Sequence, residues 1–382
     1  MTKDLKFKMM FLMQKTQAQV VLLLGFWALA VGSRFYTNGD MFGFNYSIFQ
    51  PDGVLYALRT YMFMGENQLV AARLIEDWYF TYGASRNHFD PSSILPGNAP
   101  AWGLVAPRVL YPALSVPFVA VFGMNGLLVI PSLSLLVLIL SIYFISKKFE
   151  AQNLGLAISL LVLMSPTVLR WMVANITDSL FVGLFALVCL ALESGRSRFN
   201  NYLSIGFLII LTNLTRFATP IWLAIAVVDF CAGRRKRAAY ISLVALLATI
   251  PTYLTQPSNS VLPREGELSF IEKIIVLPES FIKIVFFEIA QLAVLDRLLL
   301  MILAIAFVFS LNSLKNETSL RFIMILIATW SIGALNGSIG VNFRYQLPIV
   351  PFACAVLFAN LKPLGDWFFG RIGNVKSKEA KQ

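Results

Sequence analysis

Charge is scarce in this chain, and histidine is nearly absent. Only 13% of its 382 residues are Asp, Glu, Lys or Arg, about half the share a soluble domain carries. With 58% hydrophobic residues and a mean hydropathy of +0.72, a water-soluble globule is excluded. The one histidine is His88. The three cysteines, Cys189, Cys231 and Cys354, all fall inside apolar runs. That leaves no zinc ligand set of the usual kind and no disulfide framework. The chain also lacks a P-loop, a dinucleotide fingerprint and a Gly-x-Ser-x-Gly elbow. A nucleotide-driven motor is therefore excluded. No repeat of the first half recurs in the second, which counts against a transporter built from internal repeats.

What is present is a series of apolar runs punctuated by basic clusters. The composition defines an all-α polytopic membrane protein in which residues 1–361 form one integral domain. The net charge of +11 then marks cytoplasmic loops rather than a nucleic-acid surface. Spans are predicted at 16–33, 125–146, 154–168, 178–194, 202–215, 220–232, 239–255, 289–311, 320–338 and 345–361. Lys and Arg cluster at 3–15, 147–148, 196–198, 234–237 and 315–321, and in a basic tail at 362–382. Those clusters put both termini in the cytoplasm, with about ten spans between. The stretch 109–123 is apolar but short of the roughly 20 residues a span needs. Counting it as a span would invert every later basic cluster, so it is read as an outer-surface helix. Asp296-Arg297 interrupts the eighth span as drawn, and a start after this pair is the preferred reading.

Two outer loops result, 34–124 and 256–288. The first is long and aromatic, a composition that argues for order and function. The second includes an amphipathic stretch, 268–277, expected on the membrane interface. Within the first loop, Gln50-Pro51-Asp52-Gly53-Val54-Leu55-Tyr56-Ala57-Leu58-Arg59 reads as a helix start, with Pro51 at its first position. Asp52, Tyr56 and Arg59 then share a helical face. A carboxylate, a phenol and a guanidinium on one face suit a hydroxyl and a phosphate, although a plain surface helix would also account for them. Asp40 is the alternate catalytic carboxylate, and His88 joins the acceptor-side candidates.

Four arginines, Arg108, Arg170, Arg216 and Arg344, each stand at the predicted outer end of an apolar segment. Charges at that depth are costly and mark sites. The guanidinium fork binds phosphate oxygens bidentately and stays charged. Snorkelling at helix ends is the bland alternative for any one of them. Asp178 opens the fourth span, where it also complements the helix dipole.

Taken in order, these patterns resemble the GT-C superfamily of integral-membrane glycosyltransferases. The likeness covers roughly 16–360 and rests on five short motifs. They are Pro51-Asp52-Gly53-x-x-Tyr56-Ala57, Arg108-Val109-Leu110-Tyr111-Pro112, Ser165-Pro166 followed by Thr177-Asp178, Leu214-Thr215-Arg216, and Arg344-Tyr345-x-Leu347-Pro348-x-x-Pro351. Gly53 departs from the family's usual acidic pair. The resemblance implies a GT-C-like fold and inverting transfer of a hexose or pentose. The donor would be a polyprenyl-phosphate sugar and the acceptor a lipid or glycan, on the non-cytoplasmic face. It makes Asp52 the general base. Arg344 and Arg216 would hold the donor phosphate, with Arg108 and Arg170 as alternates. Asp178, Tyr56, Arg59 and His88 would sit on the acceptor side or behind it. No metal is predicted, because acidic residues are sparse. A multi-pass protein of the bacterial plasma membrane, acting in cell-envelope synthesis among membrane lipids, is expected. The rival classes are a flippase or transporter of lipid-linked sugars and a polysaccharide polymerase, whose large outer loop usually comes late in the chain.

Overall fold

The structure, a computed structural model, describes residues 3–36, 40–41, 44–45, 53–82, 89–96, 98–99, 102–193, 198–254, 272, 275–335 and 343–361. Among these the architecture is helical, apart from one short antiparallel pair, β1 (Asp40–Met41) and β2 (Phe44–Asn45). The chain opens with α1 (Lys3–Tyr36). Four shorter helices follow: α2 (Gly53–Phe63), α3 (Gln68–Tyr82), α4 (Trp102–Val105) and α5 (Leu110–Phe122). The bundle is then built from α6 (Val129–Lys148), α7 (Gln152–Leu163), α8 (Pro166–Met172), α9 (Thr177–Glu193), α10 (Arg198–Thr215), α11 (Thr219–Cys231) and α12 (Arg235–Leu254). It closes with α13 (Leu277–Leu295), α14 (Arg297–Asn312), α15 (Glu317–Leu335) and α16 (Leu347–Leu361).

By length and composition, three helical segments among the described residues can cross a membrane: Lys15–Tyr36, Leu110–Lys148 and Glu317–Ala334. The pair α7 and α8, bent by 70°, makes a fourth if taken as one span. Shorter apolar helices occupy Tyr202–Thr215, Thr219–Cys231, Arg297–Asn312 and Leu347–Leu361. The α7–α8 bend has a local cause: Pro166 follows Ser165, whose side chain accepts from Val168 N and starts a new helix.

Two boundaries of the segments as drawn are redrawn by the structure. The predicted eighth span, 289–311, is broken at Asp296, where α13 ends and α14 begins. Asp296 Oδ1 accepts from Leu299 N at 3.0 Å, capping α14. Its Oδ2 accepts from Thr167 N at 3.0 Å and from the Ser165 hydroxyl, so one carboxylate also caps α8. Arg297 turns away to the Ala293 carbonyl, and the later start is the one formed. The second outer loop, drawn as 256–288, is helical from Leu277 onward. The interfacial stretch 268–277 lies mostly outside the described residues.

Close approach in the core relies on small residues. A Cβ on Gly183 of α9 would come within 3.1 Å of Ser134 of α6. Buried serines on α6 donate to their own helix, Ser132 to Leu128 O and Ser134 to Ile130 O, so they leave no unpaired hydroxyl. The main core lies between α6, α9, α11, α15 and α16, and a second cluster sits under α2, α3 and α5. The site forms where these two clusters meet.

Candidate functional site

Asp178 is the centre of the site. It stands in the first turn of α9, 1% exposed, and is met by guanidiniums from two other elements. Arg344, in the turn before α16, donates to Asp178 Oδ2 from Nε at 3.0 Å and from Nη2 at 2.7 Å. Arg216, in the turn beyond α10, pairs with the other carboxylate oxygen. The next residue back, Thr177, continues the network. Its hydroxyl lies 3.2 Å from Tyr56 Oη on α2, and Arg108 Nη1 donates to that same phenol at 2.7 Å. The phenol accepts from Arg108 and shares a further hydrogen bond with Thr177, in which either hydroxyl can donate.

Aromatic faces line the cations. The Arg216 guanidinium lies 3.9 Å from the Tyr345 ring centroid. Arg344 lies 5.2 Å from the Trp171 ring and 5.9 Å from Tyr345. Arg170 sits over the other partner of that pair, 4.5 Å from Trp171. Such rings stabilise guanidinium charge where water is scarce.

Among the described residues, this cluster sets one carboxylate against Arg108, Arg216 and Arg344. Burial draws the Arg216 pKa down to about 9. The like charges of Arg108 and Arg344 add to that, while Tyr345 and Tyr56 oppose it. Arg216 remains cationic at neutral pH. Chemically, a positive excess among the described residues, beside aromatic faces, can accept an anion, and guanidinium forks suit an oxyanion with several acceptor atoms.

The predicted residues divide as follows. Arg108, Arg216, Arg344, Asp178 and Tyr56 are brought together. Arg170 borders them through Trp171. Arg59 turns aside: its Nη1 donates to Val105 O at 3.2 Å and it stacks near Phe63. There it lines a surface cavity of about 390 Å³ with Met62, Gln68, Pro96 and Trp102. Asp40 stands on β1 opposite Asn45. Asp52 and His88 lie outside the described residues. Gly53, the departure from an acidic pair, has a physical reason. A Cβ there would meet the buried Asn175 side chain at 2.0 Å. Asn175 is itself committed to Tyr79 Oη at 2.6 Å, which ties α3 to the approach to α9.

Thr177 and Tyr345 stood in the quoted motifs without a role of their own, and Trp171 takes part without having been singled out, though it adjoins Arg170. Arg34, fully buried at the end of α1 and within electrostatic reach of Arg170, was read only as the start of a loop. Its burial carries no sequence signal, since it follows the apolar run like any snorkelling arginine.

A scan against protein-family models and a search of curated proteins each find no match to this chain.

Proposed function

We propose that this protein is a membrane glycosyltransferase of GT-C type, moving a sugar from a polyprenyl-phosphate donor to a lipid or glycan hydroxyl. The observation that carries the reading is the cluster in which Arg216 and Arg344 meet Asp178, the one carboxylate there among the described residues, with Arg108 joined to it through Tyr56 and Thr177. In the reaction, the acceptor oxygen attacks the anomeric carbon and the bond from that carbon to the phosphate oxygen breaks. Polyprenyl phosphate leaves with the electron pair. Arg344 and Arg216 stabilise the charge that develops on it. The acceptor proton passes to Asp52, the proposed base. Asp52 directly precedes α2, the helix that carries Tyr56 into the cluster.

We place ten spans: α1, α6, the α7–α8 pair, α9, α10, α11, α12, α14, α15 and α16, with both termini cytoplasmic. What supports this order is the sorting of charge. Arg34, Arg170, Asp178, Arg216, Asp296 and Arg344 all fall at helix ends that this order puts on the non-cytoplasmic side. Lys148, Glu193, Asp229, Arg237 and Arg321 all fall at the opposite ends.

The test is sugar transfer by purified protein in nanodiscs, from a panel of polyprenyl-phosphate sugars to a lipid extract, with Asp52→Asn and Arg344→Gln beside the wild type. Transfer by wild type, lost in Asp52→Asn with donor still bound, supports both class and base. Normal transfer by Asp52→Asn removes Asp52 as base and moves the test to Asp40. The sharp α7–α8 break also fits a transporter, where broken helices line the substrate path. Donor binding with no donor consumed would favour that reading.

A further inference from the structure

Glu288 is the one acidic residue in the apolar stretch from Phe281 to Leu295, and it is 1% exposed. Neither of its carboxylate oxygens has a hydrogen-bond partner. The backbone amide of Phe343 lies beside it. Gln346, three residues beyond Phe343, is fully buried, and its side-chain oxygen and nitrogen are both unpartnered. The two side chains belong to one neighbourhood. Gln346 Nε2 lies 3.3 Å from where a Cβ on Gly333 would stand. Ile284, one helical turn before Glu288, lies 3.9 Å from the same point. Glycine at 333 keeps that space open.

Four buried polar atoms without partners in one place are a costly arrangement, and folded proteins pair nearly all such atoms. The cost is tolerated where a ligand supplies the partners. The location says which ligand. Phe343, Arg344 and Gln346 lie in one turn, and Phe343 holds a left-handed backbone with φ of 61°. Non-glycine residues rarely adopt that conformation, and it clusters at ligand sites. The turn therefore carries an anion-binding guanidinium at Arg344 and an uncommitted amide at Gln346, with the uncommitted carboxylate of Glu288 facing it. A carboxylate and an amide together offer acceptors and donors in the pattern a vicinal diol satisfies.

We propose that Glu288 and Gln346 form a hydroxyl-binding subsite for the sugar of the ligand whose phosphate is held at Arg344 and Arg216. The proposal rests on the phosphate reading above and extends it to the sugar. Glu288 and Gln346 act as positioning and specificity residues. The bare polyprenyl phosphate reaches only the arginines, and the sugar ester reaches both.

The experiment compares binding of undecaprenyl phosphate and undecaprenyl-phosphate glucose to the full chain in nanodiscs. Wild type, Glu288→Gln, Glu288→Leu, Gln346→Leu and Arg344→Gln are measured in parallel. The expected result is that wild type prefers the glucose ester. Glu288→Leu and Gln346→Leu lose roughly tenfold of that preference, the worth of one hydrogen bond to a charged or polar partner. Both keep their affinity for undecaprenyl phosphate, and Glu288→Gln retains part of the preference. Should Glu288→Leu fail to fold, Glu288→Gln and Gln346→Leu carry the same comparison. An unchanged preference in these variants overturns the subsite, as does equal loss of both ligands, which would make the pair a mere support for the Arg344 turn. A wild type that binds the two ligands equally also overturns it, while Arg344-dependent binding of undecaprenyl phosphate leaves the phosphate reading standing. If Arg344→Gln binds undecaprenyl phosphate as wild type does, the phosphate reading itself fails and takes the subsite with it.

Discussion

Helix α9 carries a carboxylate at each end, and the two ends are built on different principles. At its start, Asp178 is, among the described residues, the carboxylate that meets Arg216 and Arg344 beside the Arg108–Tyr56 pair. At its finish, roughly 22 Å away at the rise of an α-helix, Glu193 joins Asp229 and Glu317 in a network with Arg234, Arg237, Arg321 and Lys148. Asp229 accepts from Arg237 Nε at 2.5 Å and from Arg321 Nη2 at 3.3 Å. Arg321 also reaches Glu193 at 2.9 Å and Glu317 at 3.0 Å. There, charge nearly balances and geometry closes upon itself, as a structural clasp requires. At the Asp178 end positive charge is in excess among the described residues, and buried charge of one sign costs stability unless an anion completes it. The clasp holds α9, α11, α12 and α15 together, and the Asp178 cluster is the place the proposed ligand would occupy.

The largest expected effect comes from the same substitution made at both ends. Asp178→Asn takes a carboxylate from Arg216 and Arg344, and Asp229→Asn takes one from Arg237 while Arg321 keeps Glu193 and Glu317, each a loss of about 3–5 kcal/mol for a broken buried pair. The difference lies in rescue. Added polyprenyl phosphate should restore Asp178→Asn, since the ligand supplies the missing negative charge, and should leave Asp229→Asn unchanged. Thermal unfolding in detergent, with and without the lipid, reads both. Rescue of both variants, or of neither, would erase the distinction between the two ends.

The next effect uses wild type. A ligand that binds only the native state at 100 times its Kd stabilises by about 2.7 kcal/mol. Polyprenyl phosphate should raise the Tm of wild type and of Arg321→Met to a similar degree, whatever their starting stabilities. It should raise that of Arg216→Gln or Arg344→Gln far less. A full shift in Arg344→Gln would place the anion elsewhere.

The sequence disclosed the members of the Asp178 cluster better than their arrangement. Arg108, Arg216 and Arg344 were legible because a charge at the end of an apolar run needs a reason, and that cost is local. The break at Asp296 was legible too, since Asp-Arg cannot sit idly inside a span. Convergence was not legible: Arg344 and Asp178 meet across 166 positions, and no periodicity reports a contact of that range. The pairing of Arg59 with Tyr56 on one face of α2 follows from helix geometry, but not the choice of Arg59 to turn toward Val105 and Phe63. Glu288 escaped notice because a loop boundary was drawn on it, which hid that apolar helix continues on both sides. The clasp at the other end was read only as basic clusters. Its acidic half, Glu193, Asp229 and Glu317, is spread over three helices and forms no motif.

A smaller effect sharpens the link between the phenol and the cations. Tyr56→Phe removes the acceptor of Arg108 and the partner of Thr177, with little change in volume. Losing a hydrogen bond to a charged group costs roughly 1.5 kcal/mol or more, about tenfold in rate if it is felt in the transition state. Sugar transfer should fall by that factor while folding is little affected. An unchanged rate would confine the working cluster to Asp178, Arg216 and Arg344.

The smallest expected effect tests whether the balanced end truly is closed. Lys148 reaches Glu193 at 3.8 Å from a side chain that is 40% exposed, while Arg321 already holds Glu193 from the buried side. An exposed pair of this length contributes between nothing and about 1 kcal/mol, so Lys148→Ala should leave unfolding nearly where it was and should not alter lipid binding. If it instead cost as much as a buried pair, Glu193 would depend on Lys148 for neutrality. The far end of α9 would then be an incomplete cluster like the near one, and the excess of arginine around Asp178 would lose its meaning as the mark of a ligand site.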